Sequence, residues 1–140
     1  REDESPGAWR QSPLALAVFA QLGDSSWARS RDFFYGSPRG DVGQLALAVA
    51  RAAEDDEIAR GILRSAGAEL ARLGLALVSR HGPRPVALTG RVVSLHPLIA
   101  QSVRERLPSV IAMTLRDAFP HRAAARLAAR ASSGDNGARR

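Results

Sequence analysis

The segment "PVALTGRVVSLHPLIAQSVRERL", residues 85–107, constrains the fold of this 140-residue chain more than any other. A short β-prone run, 86–89, ends at Gly90, and Pro97 then opens an amphipathic helix. A second apolar run, "SVIAMTL" at 109–115, follows that helix. Strand, helix and strand at this spacing predict a βαβ unit, in which two parallel strands are joined by a right-handed crossover.

Two strands are too few for a complete parallel sheet. Such a sheet normally has several strands and is covered on both faces, whereas a two-stranded one leaves both outer edges unpaired. The sequence therefore predicts an α/β fold that is helix-rich, with a short parallel βαβ unit and an incomplete sheet. We expect the remaining strands to come from another part of the polypeptide or from a partner chain.

Helical periodicity dominates the chain before this unit. Ser12 and Pro13 are an N-cap and first-turn proline for a helix that ends at Gly23. Segment 24–40 combines most of the aromatic residues with turn formers, which predicts a partly buried loop with a mobile tip. Asp41 is a candidate N-cap for a second helix.

A third, longer helix is predicted from the acidic segment 54–56 to Gly82. Its expected buried face comprises Ile58, Ile62, Ala66, Leu70, Leu73 and Leu77. Gly61, Gly67 and Gly74 each cost roughly 1 kcal/mol relative to alanine inside a helix, so they predict close approach of a neighbouring backbone. We expect this helix to be central and well covered.

The C-terminal part of the sequence predicts an alanine-rich helix over 120–131 and a disordered tail over 132–140. One domain, residues 1–131, precedes the tail. No run of about 18 apolar residues and no apolar leader is present, which predicts a soluble, cytoplasmic protein without membrane association.

Composition excludes two classes of site. The chain has no cysteine, and its three histidines, His81, His96 and His121, are dispersed, so no metal site and no thiolate chemistry is expected. His96 precedes a helix-opening proline, and His81 falls at a helix C-terminus, so both have structural explanations. All 20 basic residues are arginine, and the net charge is +6.

Several motifs resemble the C-terminal part of the BadF/BadG/BcrA/BcrD-type ATPases, the family of N-acetylglucosamine and glucosamine kinases in the actin-like superfamily. "PVALTGRVVSLHPLIAQSVRERLP" resembles the strand, "TGG", "HPLL" and helix of their last nucleotide-binding segment. The helical stretch 45–78 and "PHRAAARLA", 120–128, are similar to the family's preceding helix pair and closing helix. "EDESPGAW", 2–9, resembles the sugar-site motif "GDEGSGYW".

The resemblance implies a C-terminal lobe of an actin-like, ribonuclease H-like ATPase. In such a lobe Thr89, Gly90 and Arg91 would contact the adenosine of ATP, and Asp3 and Glu4 would bind the hydroxyls of an amino sugar. The implied activity is phosphoryl transfer from ATP, with Mg²⁺, to glucosamine or N-acetylglucosamine. Several relatives dimerise, so a homodimer is a further expectation.

The chain departs from the family pattern. Arg91 replaces the second glycine of "TGG", and the phosphate loop and catalytic base of the family lie in a first half that has no counterpart here. Phosphoryl transfer requires in-line geometry, metal-bridged phosphates and a base. We therefore expect this chain to contain no catalytic residue and to be inactive alone, with the missing N-terminal lobe or a partner chain supplying the rest.

Two alternatives remain open at this stage. The substitutions in the motifs also fit a non-catalytic, degenerate kinase lobe that acts as an interaction module. A basic stripe of Arg122, Arg126 and Arg130, with Arg139 and Arg140, fits a nucleic-acid-binding domain. The scarcity of aromatic residues and their distance along the chain from this stripe disfavour nucleic acid as a partner.

Overall fold

A computed structural model describes residues 7–116 and 120–135. The chain folds into mostly helical structure with one small sheet, as the sequence predicts. The elements in order are a 3₁₀ helix (Ala8–Gln11), α1 (Pro13–Leu22), α2 (Trp27–Gly36), α3 (Arg39–Ala52), α4 (Glu57–His81), β1 (Val86–Thr89), α5 (Pro97–Arg106), β2 (Met113–Arg116) and α6 (Pro120–Asp135).

The sheet consists of β1 and β2, which are parallel and connected through α5. Val86 lies opposite Met113, and Thr89 lies opposite Arg116. The predicted βαβ unit is thus confirmed. β2 starts later than predicted because residues 108–111 form a turn, closed by the Ile111 N–H donating to the Pro108 carbonyl at 2.8 Å. Within the described residues, the outer edges of both strands have no neighbouring strand.

Two apolar clusters form the core, and α4 and α5 contribute to both. Ile99 of α5 and Leu63 of α4 belong to the first cluster, and Val103 of α5 and Ala71 of α4 belong to the second, together with Leu88 of β1. Ile99 and Val103 are fully buried and lie one helical turn apart, which confirms that α5 is amphipathic, as predicted. α4 and α5 therefore also position β1, through the contacts of Leu88 in the second cluster.

The predicted buried face of α4 is wrong at four of its six positions, because the face is shifted by about one residue, which is 100° around a helix. The other two, Ala66 and Leu70, are partly buried. The side chains of Ile58, Ile62, Leu73 and Leu77 are 46–61% exposed. The buried positions are instead Ala59, Leu63, Gly67, Ala71 and Gly74. These residues are mostly small, which lets α5 approach closely, and α4 is covered on that side but not on the other.

The glycines of α4 differ in how much space surrounds them. A Cβ added at Gly67 would lie 2.5 Å from the Ile99 carbonyl oxygen and 2.6 Å from Ser102 Cβ, which confirms the predicted close backbone approach. At Gly74 an added Cβ would meet only ordinary contacts at 3.6 Å, and at Gly61 it would meet open space. The prediction of close backbone approach is therefore wrong at Gly61 and at Gly74, where the two atoms within 4 Å belong to side chains.

Segment 24–40 is not the predicted loop, because most of it is helical. α2 begins after Ser26, whose Oγ accepts the Arg29 N–H at 3.3 Å, and Asp24 in turn accepts the Ser26 hydroxyl at 2.6 Å. Phe33 is buried, which anchors the helix. α3 then begins at Arg39, two residues before the predicted cap, and Asp41 lies in its first turn.

The other helix ends follow the sequence signals. Ser12 caps α1, and Gly23 ends it with a φ of 85°. Asp56 caps α4, and Gly82 ends it with a φ of 82°. α6 extends to Asp135, so the first four residues of the predicted tail are helical; the remaining five lie outside the described residues.

Candidate functional site

The turn that follows β1 has the strand-to-helix geometry predicted for the candidate site. Thr89 ends the strand, and Gly90 has a φ of 102°, a left-handed value that favours glycine. A Cβ at Gly90 would meet no atom within 4 Å, so the glycine is needed for its dihedral angle rather than for space. Arg91 follows with an exposed side chain. Thr89, Gly90 and Arg91 are thus brought together at the carboxyl end of a parallel strand.

Internal hydrogen bonds hold the rest of the turn. The Ser94 hydroxyl donates to the Arg91 carbonyl at 3.1 Å, and the Leu95 N–H donates to the Val92 carbonyl at 3.2 Å. His96 closes the turn as the N-cap of α5, where its Nδ1 accepts the Leu98 N–H at 3.2 Å. The predicted capping role of His96 is confirmed.

A groove runs between this turn and α3. One part, a cavity of about 380 Å³, is lined by Gly43, Gln44, Ala46, Leu47, Arg91, Val92 and Leu95. The adjoining part, of about 550 Å³, is lined by Leu47, Ala50, Arg51, Glu54, Leu95, His96 and Pro97. Leu47 and Leu95 line both parts, so the two cavities form one groove with an apolar middle and polar ends.

The opposite side of the turn faces the end of the sheet. A cavity of about 310 Å³ is lined there by Leu88, Gly90, Val93, Ser94, Leu115 and Arg116. It lies at the carboxyl ends of both strands, the position at which open α/β sheets bind ligands. Gly90 and Arg91 therefore separate two concave surfaces, one toward β2 and one toward α3.

The charged groups around the turn suit an anionic ligand with an apolar body. Arg51, Arg91 and Arg116 are exposed and line these cavities, and none of them forms an ion pair within the described residues. Guanidinium groups bind phosphate with paired N–H donors and stack on planar rings. Glu54 is the one acidic residue in the groove lining, and Gln44 adds an amide.

Asp56 links the start of α4 to the start of α1. Its carboxylate accepts the Leu14 N–H and the Ser12 hydroxyl, both at 3.0 Å, and the N–H groups of Ile58 and Ala59 at 2.9 and 3.1 Å. These bonds, led by that from Leu14, hold the pKa of the Asp56 carboxyl below its usual value. Asp56 therefore caps α4 and holds it against α1, and it does not line the groove.

Among the described residues, two further carboxyl groups have a lowered pKa, and both belong to helix starts. The Arg60 and Arg64 guanidinium groups lower the pKa of Glu57, each bonding it at 2.6 Å. Bonds from the Ser26 hydroxyl and N–H lower the pKa of Asp24. Neither residue lines the groove, so these shifts reflect local stabilisation of helices.

The predicted sugar-binding residues, Asp3 and Glu4, lie outside the described residues. Over the ranges 7–116 and 120–135, no group of three or more His, Cys, Asp or Glu side chains is placed to hold a metal ion. In the same ranges, no helix has the length and apolar character needed to cross a membrane.

The contribution of α3 to the groove was missed in the sequence analysis. Val42, Leu45 and Val49, which recur at helical spacing, are partly buried, but Leu47 lies off their face of α3 and is 48% exposed over the groove. The signal in the sequence for this part of the groove was Leu47, an apolar residue that lies outside the helical stripe and four residues before Arg51.

Comparison with models of known protein families, with curated proteins and with solved structures gives no match for this chain.

Proposed function

We propose that this chain forms the adenosine side of the nucleotide cleft in an ATP-dependent amino-sugar kinase of the BadF type. The observation that carries the proposal is the left-handed Gly90 at the carboxyl end of β1, followed by Arg91 on the rim of the groove. The apolar middle of the groove, at Leu47 and Leu95, offers a surface for a planar base. Arg51 and Arg91 offer donors for phosphate or ribose oxygens.

The remaining parts of such an enzyme would come from chain beyond this lobe. No described residues form a metal cluster, so Mg²⁺ would be held by the phosphates of ATP and by groups outside the described ranges. No strand among the described residues pairs with the outer edges of β1 and β2, and this supports the division, since parallel sheets normally have several strands. The chain alone is then expected to release no ADP from ATP in the presence of Mg²⁺ and glucosamine or N-acetylglucosamine.

Nucleotide binding is testable on the purified 140-residue chain by thermal unfolding. ADP at ten times its dissociation constant adds about 1.4 kcal/mol of stability, which for a domain of this size raises Tm by roughly 4–7 °C. Arg91→Ala is expected to reduce that rise. Arg31→Ala is the matched control, because it removes the same charge at an exposed position on α2. Arg31 lines none of the cavities described above.

The proposal fails if ADP, ATP and adenosine leave Tm unchanged at millimolar concentration, or if Arg31→Ala reduces the rise as much as Arg91→Ala. GTP and UTP are tested separately as comparison ligands. An equal rise in Tm with ATP, GTP and UTP indicates a general phosphate site instead of an adenosine site.

A second candidate, nucleic-acid binding, is favoured by one observation. Arg122, Arg126 and Arg130 are all exposed on α6 and are spaced by one helical turn. Phosphate neutralisation by such a stripe predicts binding that weakens steeply with salt. This alternative is supported over the kinase lobe if the wild-type chain binds a labelled oligonucleotide and shows no rise in Tm with ADP. The triple variant Arg122→Ala, Arg126→Ala and Arg130→Ala should then lose oligonucleotide binding.

A further inference from the structure

α4 carries a second apolar surface besides the one that meets α5. Ile58, Ile62, Leu73 and Leu77 are 61%, 46%, 59% and 58% exposed. Successive residues of a helix turn by about 100°, so these four positions fall within about 100° of its circumference. We call them the α4 stripe. The stripe extends for about 28 Å along the helix, at 1.5 Å per residue.

The fold of the chain itself does not use the α4 stripe. The core packs instead on the small-residue side of α4, at Leu63, Gly67 and Ala71. Single exposed apolar side chains are common on proteins, whereas apolar patches of several residues mark sites of association. The alignment of four large side chains on one side of a helix therefore indicates a contact surface for a further partner.

The spacing of the α4 stripe is symmetric about its own midpoint. Ile58 and Ile62 are four residues apart at one end, and Leu73 and Leu77 are four residues apart at the other. A second copy of α4, antiparallel and related by a two-fold axis at that midpoint, places Ile58 at the level of Leu77 of the second copy. It places Ile62 at the level of Leu73. A face must match itself in this way only if it meets its own copy, so the symmetry selects a second copy of this chain as the partner.

The polar middle of the stripe fits the same arrangement. Ser65 and Glu69 are exposed there, and the antiparallel pairing brings each to within about one residue of the level of the other in the second copy. The Ser65 hydroxyl would donate to the Glu69 carboxylate across the pair. Arg72 Nε donates to Glu69 at 2.9 Å within each copy. The two acidic groups that approach one another are therefore each paired with a cation.

We propose that the α4 stripe is the interface of a symmetric dimer, in which the α4 helices of two copies of the chain pack antiparallel. A single pair of helices buries less surface than a standard protein interface, so we expect a Kd of about 10–100 µM. At the low micromolar concentrations used for unfolding experiments, the chain is then a monomer. The inference depends on the spacing of the stripe and not on the nucleotide proposal.

Sedimentation equilibrium of the purified chain, from about 1 µM to about 0.5 mM, tests for the dimer. Leu73→Glu buries a carboxylate against Ile62 of the second copy, so it should weaken the dimer by at least about tenfold. Val110→Glu is the matched control, because it adds the same charge in place of an apolar side chain that is 79% exposed outside α4. This variant should dimerise as the wild type does. Circular dichroism verifies that both variants are folded.

Mixing two variants tests the antiparallel register. Ile62→Lys and Leu73→Glu should each be monomeric alone at about 0.1 mM. In a mixed dimer the introduced lysine lies opposite the introduced glutamate, and the other end keeps a native pair, so an equimolar mixture should regain the dimer. Ile62→Lys mixed with Ile58→Glu is the control, because these two positions lie at opposite ends of the antiparallel pair. That mixture should remain monomeric.

Three results would overturn the inference. A wild-type chain that is monomeric at about 0.5 mM excludes a second copy as the partner and leaves the stripe to a different chain. Equal weakening by Val110→Glu and Leu73→Glu excludes α4 as the interface. A mixture with Leu73→Glu that regains no more dimer than the mixture with Ile58→Glu excludes the antiparallel register.

The dimer and the nucleotide proposal fail separately. No residue of the α4 stripe lines the groove, so Leu73→Glu is expected to retain the ADP-induced rise in Tm. A dimer without any ADP response supports the interface and refutes the nucleotide proposal. An ADP response without a dimer does the opposite.

Discussion

Replacing Gly67 with alanine tests the contact between α4 and α5 on which the position of the candidate site depends. The added Cβ would lie 2.5 Å from the Ile99 carbonyl oxygen and 2.6 Å from Ser102 Cβ. Ordinary contacts of these kinds begin at roughly 3.3–3.5 Å, so the two helices must separate by about 1 Å to admit the methyl group.

The energetic result is a net loss of stability. Overpacking of this kind costs about 1–3 kcal/mol. Separation of the helices also loosens the bond from the Ser102 hydroxyl to the Arg64 carbonyl, 2.7 Å long, which contributes about 1 kcal/mol. Alanine has a better helix propensity than glycine by about 0.8–1.0 kcal/mol, which offsets part of the cost. We expect Gly67→Ala to lower the free energy of unfolding by about 1–3 kcal/mol.

Gly61→Ala is the control, since Gly61 lies in the same helix with no atom within 4 Å of an added Cβ. It should raise the free energy of unfolding by about 0.5–1 kcal/mol through helix propensity alone. Urea unfolding followed by circular dichroism measures both variants against the wild type. If Gly67→Ala is as stabilising as Gly61→Ala, α5 does not approach α4 as described, and the reasoning is refuted.

Three further predictions concern the core, a cap and the turn. Ile99→Ala should cost about 2–5 kcal/mol by leaving a cavity, whereas Ile58→Ala, on the exposed side of α4, should change stability by less than about 0.5 kcal/mol; urea midpoints that are equal would contradict the described face. Asp56→Asn should be less stable than the wild type at neutral pH, because an amide cannot accept the N–H groups of Leu14, Ile58 and Ala59 together. Since the pKa of Asp56 is depressed in the folded state, the extra stability of the wild type is present above the unfolded pKa near 3.9 and is lost as the pH falls through the folded pKa. A difference in Tm between the two proteins that persists unchanged at pH 2 would refute the assignment. Gly90→Ala should cost about 1–2 kcal/mol because of its left-handed φ and should weaken ADP binding, and an unaltered Tm would show that the turn does not require this conformation.

Local signals in the sequence were sufficient to predict the helix ends that are set by capping residues. Ser12, Gly23, Asp56, Gly82 and His96 each act through their own side chain or backbone angle, so the positions that they mark are readable without tertiary information. The βαβ unit was predictable for the same reason, because its strands and helix are contiguous in the chain. Ser26 was an equally local signal for α2, but the surrounding turn formers obscured it.

The orientation of α4 depends on packing and was not predictable from hydrophobicity alone. The sequence offers one stripe of large residues through Ile58 and Ile62, and another of small residues through Ala59 and Gly67. The close approach of α5 selects the small stripe, because a backbone carbonyl at Ile99 fits only against glycine. The groove depends on the same long-range packing, which explains why local sequence suggested Thr89 to Arg91 as candidates but not the residues of α3.

The central claim is that the turn at Gly90 and the facing side of α3 bind adenosine together. Amide chemical-shift mapping of the ¹⁵N-labelled chain during an ADP titration tests this claim most directly. The account predicts saturable shifts that concentrate in residues 43–54 and 89–97. Shifts confined to α6, or no saturable shifts in either range at millimolar ADP, would contradict it.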